Sequence, residues 1–304
     1  MSTYLSTTNE DLYGIAAVER ETGFSKDTLR VWERRYGFPR PTRDAHGERA
    51  YPQEQVGMLR RIRRLMDAGA RPGKIFAVGV DAYEAQSRQG AGGEPPASPA
   101  ELELLKGHRS AELRASLEQA ALRDGLYRFV TETAAPLVQR VGEAWGRGEL
   151  QVYEEHLFTE QLQAVLRGAI ARLAGAGSSP RVLLSTLPGE QHGLGLLMVQ
   201  AVCALDGAQC VSLGTQTPLR DLVDAVRAEN ADVLALSFAS SYSLPQLQDG
   251  VALLRAQLPP AVELWCGGAG AARWRRPPGG VRVIDTLAGI RDALGAWRGA
   301  RAAV

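Results

Sequence analysis

A chain of 304 residues, 45% of them hydrophobic, is long enough to fold as two or three domains with sizeable cores. It holds no apolar run of the ~18 residues that a membrane span needs and no secretory segment at its polar start, so a cytoplasmic protein with no membrane partner is expected. Net charge is only +1, yet residues 1–80 carry 14 Lys and Arg against 10 Asp and Glu, and the remainder 21 against 24, which points to a nucleic-acid-facing N-terminal end.

Tyr13-Gly14-Ile15-Ala16-Ala17-Val18 opens a short helix, Thr22-Gly23-Phe24 turns it, and Ser25 caps a second helix with Asp27 in its first turn. This is a helix-turn-helix outline. Leu29, Trp32 and Tyr36 follow i, i+3, i+7 and face the core. Lys26, Arg30 and Arg34 repeat at i, i+4, i+8 on another face, a cationic stripe suited to the major groove. After Gly37-Phe38-Pro39, a Gly/Pro-punctuated basic loop with Arg40, Arg43, Gly47, Arg49 and Tyr51 reads as a wing against phosphates. Residues 52–68 read as a third helix, with Val56, Leu59, Ile62 and Leu65 inward and Arg60, Arg61, Arg63 and Arg64 mostly outward. A plain solvated arginine face is the alternative, in a chain with only three lysines.

The order Ser25-Lys26-Asp27-Thr28-Leu29-Arg30-Val31-Trp32-Glu33-Arg34-Arg35-Tyr36-Gly37-Phe38-Pro39, then Arg43, Gly47-Glu48-Arg49 and Tyr51, resembles the MerR-type winged helix-turn-helix over residues 11–80. The resemblance implies a dimeric repressor or activator that reads a two-part operator in double-stranded DNA. Its DNA-binding residues would be Lys26, Arg30, Arg34, Arg35, Arg43, Arg49 and Tyr51, in a domain spanning 1–83.

Residues 84–100, with Gln86-Ser87-Arg88-Gln89-Gly90-Ala91-Gly92-Gly93-Glu94-Pro95-Pro96, cannot bury much apolar surface and read as a flexible linker. Residues 101–176 are almost free of strand signals and break near Gly107, Asp124-Gly125 and Gly146 to Gly148, the pattern of a four-helix bundle. In its last helix Phe158, Leu162, Val165, Ala169 and Leu173 form an apolar stripe. Glu155, three and seven residues before Phe158 and Leu162, falls on that buried face and needs a partner in the protein or on a ligand. Trp145 shares a stripe with Leu137, Val138 and Val141 beside the glycine break. Core anchor and helix-end carboxylate are the ordinary readings of Trp145 and Glu155. Trp145, nine intervening residues and Glu155-His156 match the W-x9-E-H signature of the CarH and LitR group of cobalamin-dependent photoreceptor repressors. That resemblance implies that Trp145, Glu155 and His156 pack around the upper-face adenosyl group of adenosylcobalamin.

Beyond residue 177 strand and helix alternate. Residues 181–186, 209–213, 232–238 and 262–266 are strand-like, with a weaker fifth at 281–285, and the segments between them carry helical periodicity. This is a doubly wound parallel sheet. Cys203, Cys210 and Cys266 lie in its apolar stretches without C-x-x-C spacing, which argues against zinc or disulfides. His192 follows the first strand, at the edge where open α/β sheets bind ligands. Glu190, two residues upstream, is placed to accept a ring N–H and so orient a metal-bound imidazole, and Gly193 and Gly195 would let a bulky group approach. An ordinary loop histidine, a strand-capping Ser237 and a plain Gly267-Gly268 turn are the alternatives.

The loops resemble those of the cobalamin-binding domain shared by methionine synthases, mutases and the CarH group. The pattern is D/E-x-H-x-x-G at Glu190, His192 and Gly195, an L-G-x-x-T-P turn at Ser212-Leu213-Gly214-Thr215-Gln216-Thr217-Pro218, Ser237 ending the third strand, and Gly267-Gly268 after the fourth. It implies that His192 is the lower cobalt ligand and that Ser212, Gly214, Thr217, Ser237, Gly267 and Gly268 line the path of the nucleotide tail. Two positions depart from the family. Ser237-Phe238-Ala239 stands where Ser-x-Leu is common, and Gly146 replaces the histidine that follows the signature Trp, leaving water, His156 or relaxation to a still-active form after light.

The expected protein is therefore multidomain, α and α/β: a winged helix-turn-helix (1–83), a linker (84–100), a four-helix bundle (101–176) and a Rossmann-like cobalamin-binding domain (177–304). The expected function is a non-enzymatic, light-sensing repressor that binds operator DNA as an adenosylcobalamin-stabilised homo-oligomer, dimer or tetramer. A regulator whose sensor half works without light or cobalamin, and a corrinoid carrier protein, are the alternatives.

Overall fold

The computed structural model describes residues 12–44, 46–67, 70–83, 100–173 and 179–302. The expected linker falls almost wholly outside them, as does the Arg64 side chain. The chain forms two compact units, one from residues up to Ala97 with Val141–Val152, the other from Ser98–Arg140 and Tyr153–Val304.

In the first unit, β1 (Leu12–Gly14) is followed by helices α1 (Ile15–Thr22) and α2 (Lys26–Tyr36), strands β2 (Thr42–Arg43) and β3 (Arg49–Pro52), and helices α3 (Gln53–Asp67) and α4 (Pro72–Val78). Tyr13 and Gly14, expected to open the first helix, instead belong to β1, which pairs antiparallel with β3, because Gly14 is extended and α1 begins after it. Gly23 ends α1 in the left-handed region, which a side chain would strain, and its N–H reaches the Glu19 carbonyl. Ser25 then accepts from the Thr28 N–H at 3.2 Å, capping α2 at the expected position. Leu29, Trp32, Val56, Leu59, Ile62 and Leu65 fill the core, each fully buried apolar side chain contributing ~1.5–3 kcal/mol. Helix α4 closes it with Phe76, which stacks on Tyr36 at 4.3 Å and meets Trp32 edge-on at 5.1 Å. Arg60, expected outward, is 8% exposed and ion-paired with Glu21, because α3 packs against α1.

The second unit begins with helices α5 (Ala100–Lys106) and α6 (Ser110–Arg128), a π-helical turn at Phe129–Ala134, α7 (Ala135–Gly146, whose end belongs to the first unit) and α8 (Val152–Ala171). Gly125, at φ 75 and ψ 154, interrupts α6, so the helical stretches are four, broken where the glycines predicted.

There follow β4 (Arg181–Ser185), α9 (Leu194–Leu205), β5 (Gln209–Gly214), α10 (Leu219–Ala228), β6 (Val233–Ser237), α11 (Leu244–Gln257), β7 (Glu263–Gly267), β8 (Val281–Ile284) and α12 (Leu287–Ala302). All five strands pair in parallel, in the order β5-β4-β6-β7-β8. The near-continuous apolar runs of β4, β6 and β7 reflect burial on both faces: α10 and α11 cover one side through Leu222, Val226, Leu247 and Leu254, and α9 and α12 pack together on the other. Strand order reverses between β4 and β6, and at such a switch point the loops leaving the carboxyl ends part to open a crevice.

Candidate functional site

The loops that leave β4 and β6 are tied together by Glu190. This carboxylate is 2% exposed, and burial alone would push its pKa up. Hydrogen bonds outweigh that: Oε1 accepts from the His192 ring Nδ1 at 2.6 Å and from the His192 backbone N–H at 2.9 Å, and Oε2 accepts from the Ala239 N–H at 2.7 Å. The net effect is a pKa below the ordinary carboxylate value. A carboxylate can only accept, so Nδ1 carries the proton and Nε2 is the nitrogen left to coordinate. The ring is 65% exposed. The Glu190 hydrogen bond raises the His192 pKa against the lowering effect of desolvation, and the charges of Glu190 and, from α8, Glu155 add to the rise.

The loop is braced from below by two side chains that the sequence reading passed over. Thr186, fully buried, donates to the Glu190 carbonyl at 2.7 Å and accepts from the Gln216 N–H at 2.8 Å. Ser185, also fully buried, shares a hydrogen bond with Thr217 Oγ1 at 2.7 Å and donates to the Gly214 carbonyl at 3.1 Å. Two buried hydroxyls ending an apolar strand were the available signal. Tyr242 donates to the Pro188 carbonyl at 3.0 Å and covers Gly189. Ser212 is exposed and accepts from the Gly214 N–H at 3.4 Å.

Behind the loop, α9 lies against the sheet so closely that a Cβ on Gly195 would come within 2.5 Å of Ser237 Oγ. Beneath this approach is a cavity of about 20 Å³ lined by Leu184, Leu196, Ala235, Ser237, Trp265 and Gly267, among others. Gly268, at φ +87, is pressed against the Phe238 carbonyl where a side chain would collide. An oriented imidazole with a free Nε2 and a glycine-lined approach fit the face of a corrinoid, while the apolar slot between helix and sheet has room for about one water and must widen to admit a nucleotide tail. The structure thus brings Glu190, His192, Gly195, Gly214, Thr217, Ser237, Gly267 and Gly268 to one edge of the sheet.

The helical residues are placed differently from expectation. Glu155 is half-buried and accepts from Thr159 Oγ1 at 2.8 Å, and His156 is 71% exposed, 3.8 Å from Glu155. Glu154 is the buried carboxylate, 6% exposed and 3.7 Å from His108 Nδ1, because it precedes Phe158 and Leu162 by four and eight residues, in phase with the stripe. Trp145 lies in the first unit, half-buried, with the Arg60 guanidinium 4.8 Å over its ring.

On the winged helix-turn-helix, Lys26, Arg30, Arg34, Arg35 and Arg43 are exposed and Arg49 half-buried. Arg30, Val31, Glu33 and Arg34 of α2 line a groove of about 540 Å³ with Asp27 and Arg49. Arg49 binds Glu33 at 3.1 Å and Arg43 donates to the Gly47 carbonyl at 2.5 Å, which fixes the wing against the helix and closes its tip. Tyr51, expected at the DNA, is fully buried and unable to reach it: pleating of β3 turns it into the core, where its hydroxyl has no hydrogen-bond partner among the described residues. No helix among the described residues is long and apolar enough to cross a membrane.

Three family profiles match in chain order: MerR HTH family regulatory protein over residues 13–76, and B12 binding domain over 102–168 and again over 180–286. These define a MerR-type transcription regulator with a cobalamin-binding region. The chain is 30% identical to the HTH-type transcriptional repressor CarH of Myxococcus xanthus across 86% of its own length and 90% of that protein's. It is 31% identical to CarA of the same organism across 74% and 75%. It belongs to the family of regulators that includes CarH and CarA. Its fold is also that of the Methanosarcina barkeri monomethylamine corrinoid protein, with TM-score 0.53 and 17% identity over 65% of this chain and 95% of that one.

Proposed function

We propose that the protein is a repressor whose hold on its operator depends on adenosylcobalamin and is released by green light. The observation that carries this is the Glu190–His192–Ala239 arrangement at the switch point of a sheet, on the same chain as a winged helix-turn-helix. When bound, adenosylcobalamin supplies a cobalt–carbon bond that visible light breaks. His192 would hold the cobalt through Nε2, and Glu190 would keep its ring in one orientation. Gly195, Ser212, Gly214, Thr217, Ser237, Gly267 and Gly268 line the tail's path. Trp145, Glu155 and His156 close the upper face.

In this reading residues 1–83 bind DNA through Lys26, Arg30, Arg34, Arg35, Arg43 and Arg49, 84–100 link, 101–176 cap the cofactor and 177–304 cradle it. Assembly into a dimer or tetramer multiplies weak operator contacts through effective concentration, so a modest change in subunit affinity becomes a steep change in occupancy. Gly146 favours a second reading, cobalamin sensing without light-driven release, since this chain lacks the imidazole that follows the signature Trp in the family.

The test is a gel shift and size-exclusion profile of the full chain with adenosylcobalamin, in the dark and after green light. Retardation and a larger assembly in the dark, both lost on illumination, are expected. Identical behaviour in both arms sinks the light reading, and no dependence on the cofactor sinks the sensor reading.

A further inference from the structure

The winged helix-turn-helix buries a cation that reading DNA does not use. Arg60 of α3 is 8% exposed, its NH2 is ion-paired with Glu21 of α1, its Nε has no hydrogen-bond partner among the described residues, and its guanidinium carbon sits 4.8 Å above the centre of the Trp145 ring. Removing a guanidinium from water is costly, and a single carboxylate that is itself partly exposed meets only some of its five donors. The indole face compensates, because its negative quadrupole attracts a cation more strongly as both lose water. Segment Val141–Val152, which carries Trp145, accordingly belongs to the compact unit of the DNA-binding helices.

Trp145 is therefore half-buried under a cation from the DNA-binding unit, although the W-x9-E-H pattern marks it as an upper-face residue of the cofactor site. We propose that Arg60 and the adenosyl group compete for the indole face of Trp145, so that Arg60 clamps the DNA-binding unit in the ligand-free chain and cofactor binding frees it. This rests on the reading of Trp145 given under the proposed function. Linkage makes the competition reciprocal: whatever the contact adds to the clamped state is subtracted from cofactor affinity, and the cofactor weakens the clamp by the same factor. Arg60 is a positioning residue in this scheme, acting through Trp145.

Two measurements on the full chain test it, comparing wild type with Arg60→Lys and Arg60→Met. Lys keeps the charge beside Glu21 and removes the flat guanidinium, while Met removes both. The first is absorption titration with adenosylcobalamin in the dark, and the second is acrylamide quenching of Trp145 in the ligand-free protein, taken as the difference from Trp145→Phe. Arg60→Met is expected to bind cofactor about tenfold more tightly, the scale of a desolvated cation–π contact, and Arg60→Lys more tightly by a smaller factor, with Trp145 more open to quencher in both. Unchanged or weaker cofactor binding in the folded variants overturns the proposal whatever the quenching shows. If Arg60→Met does not fold, Arg60→Lys carries the comparison. Wild type that binds no corrinoid overturns the sensor reading as well, whereas wild type that binds with both variants unchanged overturns the competition alone.

Discussion

Glu190 Oε2 accepts the Ala239 N–H at 2.7 Å, so the carboxylate that orients His192 on the first crossover is fastened to the backbone of another strand's loop, 49 residues away. A single buried group therefore sets both the rotamer of the imidazole and the spacing of two loops at the switch point.

Glu190→Gln should weaken cobalamin binding by about 10–100-fold, the usual cost of losing the partner of a metal-bound histidine, and His192→Ala should weaken it further. An absorption titration checks this. His192→Ala should also change the spectrum of the bound cofactor if the imidazole ligates cobalt as proposed.

The pH dependence of the ligand-free fold follows from the same pair. Glu190 is held below its ordinary value of 4.5, so its contribution is present above that value and is lost as pH falls through the depressed one. His192 is held above its ordinary 6.5, so its contribution is full below 6.5 and is lost as pH rises through the raised one. The stability difference between wild type and His192→Ala should be largest between pH 4.5 and 6.5 and should shrink on either side. Urea denaturation of the apoprotein across pH 4 to 8 measures it, and a flat difference would count against the pair.

Gly195→Ala should destabilise the fold by ~1–3 kcal/mol through overpacking against Ser237, and adding Ser237→Ala should recover most of the loss. Gly268→Ala has no such rescue, because its obstacles are the Phe238 backbone and a positive φ. Thermal melts of the two single variants and the double variant separate these cases.

On the DNA face, Arg34→Ala should weaken operator binding and reduce the salt slope by about one unit if it contacts a phosphate. Tyr51→Phe should leave operator affinity unchanged and stability equal or up to ~1 kcal/mol higher, since it removes a buried hydroxyl with no partner among the described residues. Loss of DNA binding in Tyr51→Phe would return that residue to the interface.

What could be read from the sequence was whatever neighbours along the chain encode. Five apolar runs spaced by helical segments specify a parallel sheet, glycines at 125, 146 and 148 specify where the bundle breaks, and Glu190 with His192 are close enough to form a pair by local geometry alone. Residues far apart became neighbours only through packing. Ala239 reaches Glu190 because β6 lies beside β4, Thr186 braces Gln216 across two loops, and Arg60 is buried because α1 supplies Glu21. Phase was the other limit. A shift of one residue decides whether Glu154 or Glu155 is buried, and strand pleating decides that Tyr51 turns inward. The order of motifs along the chain, through its resemblance to MerR-type and cobalamin-binding domains, pointed to DNA-binding and cobalamin-binding parts. Only the tertiary structure decided which charges are buried and what holds them, because the free energy of a buried polar group depends on partners that the sequence does not place next to it.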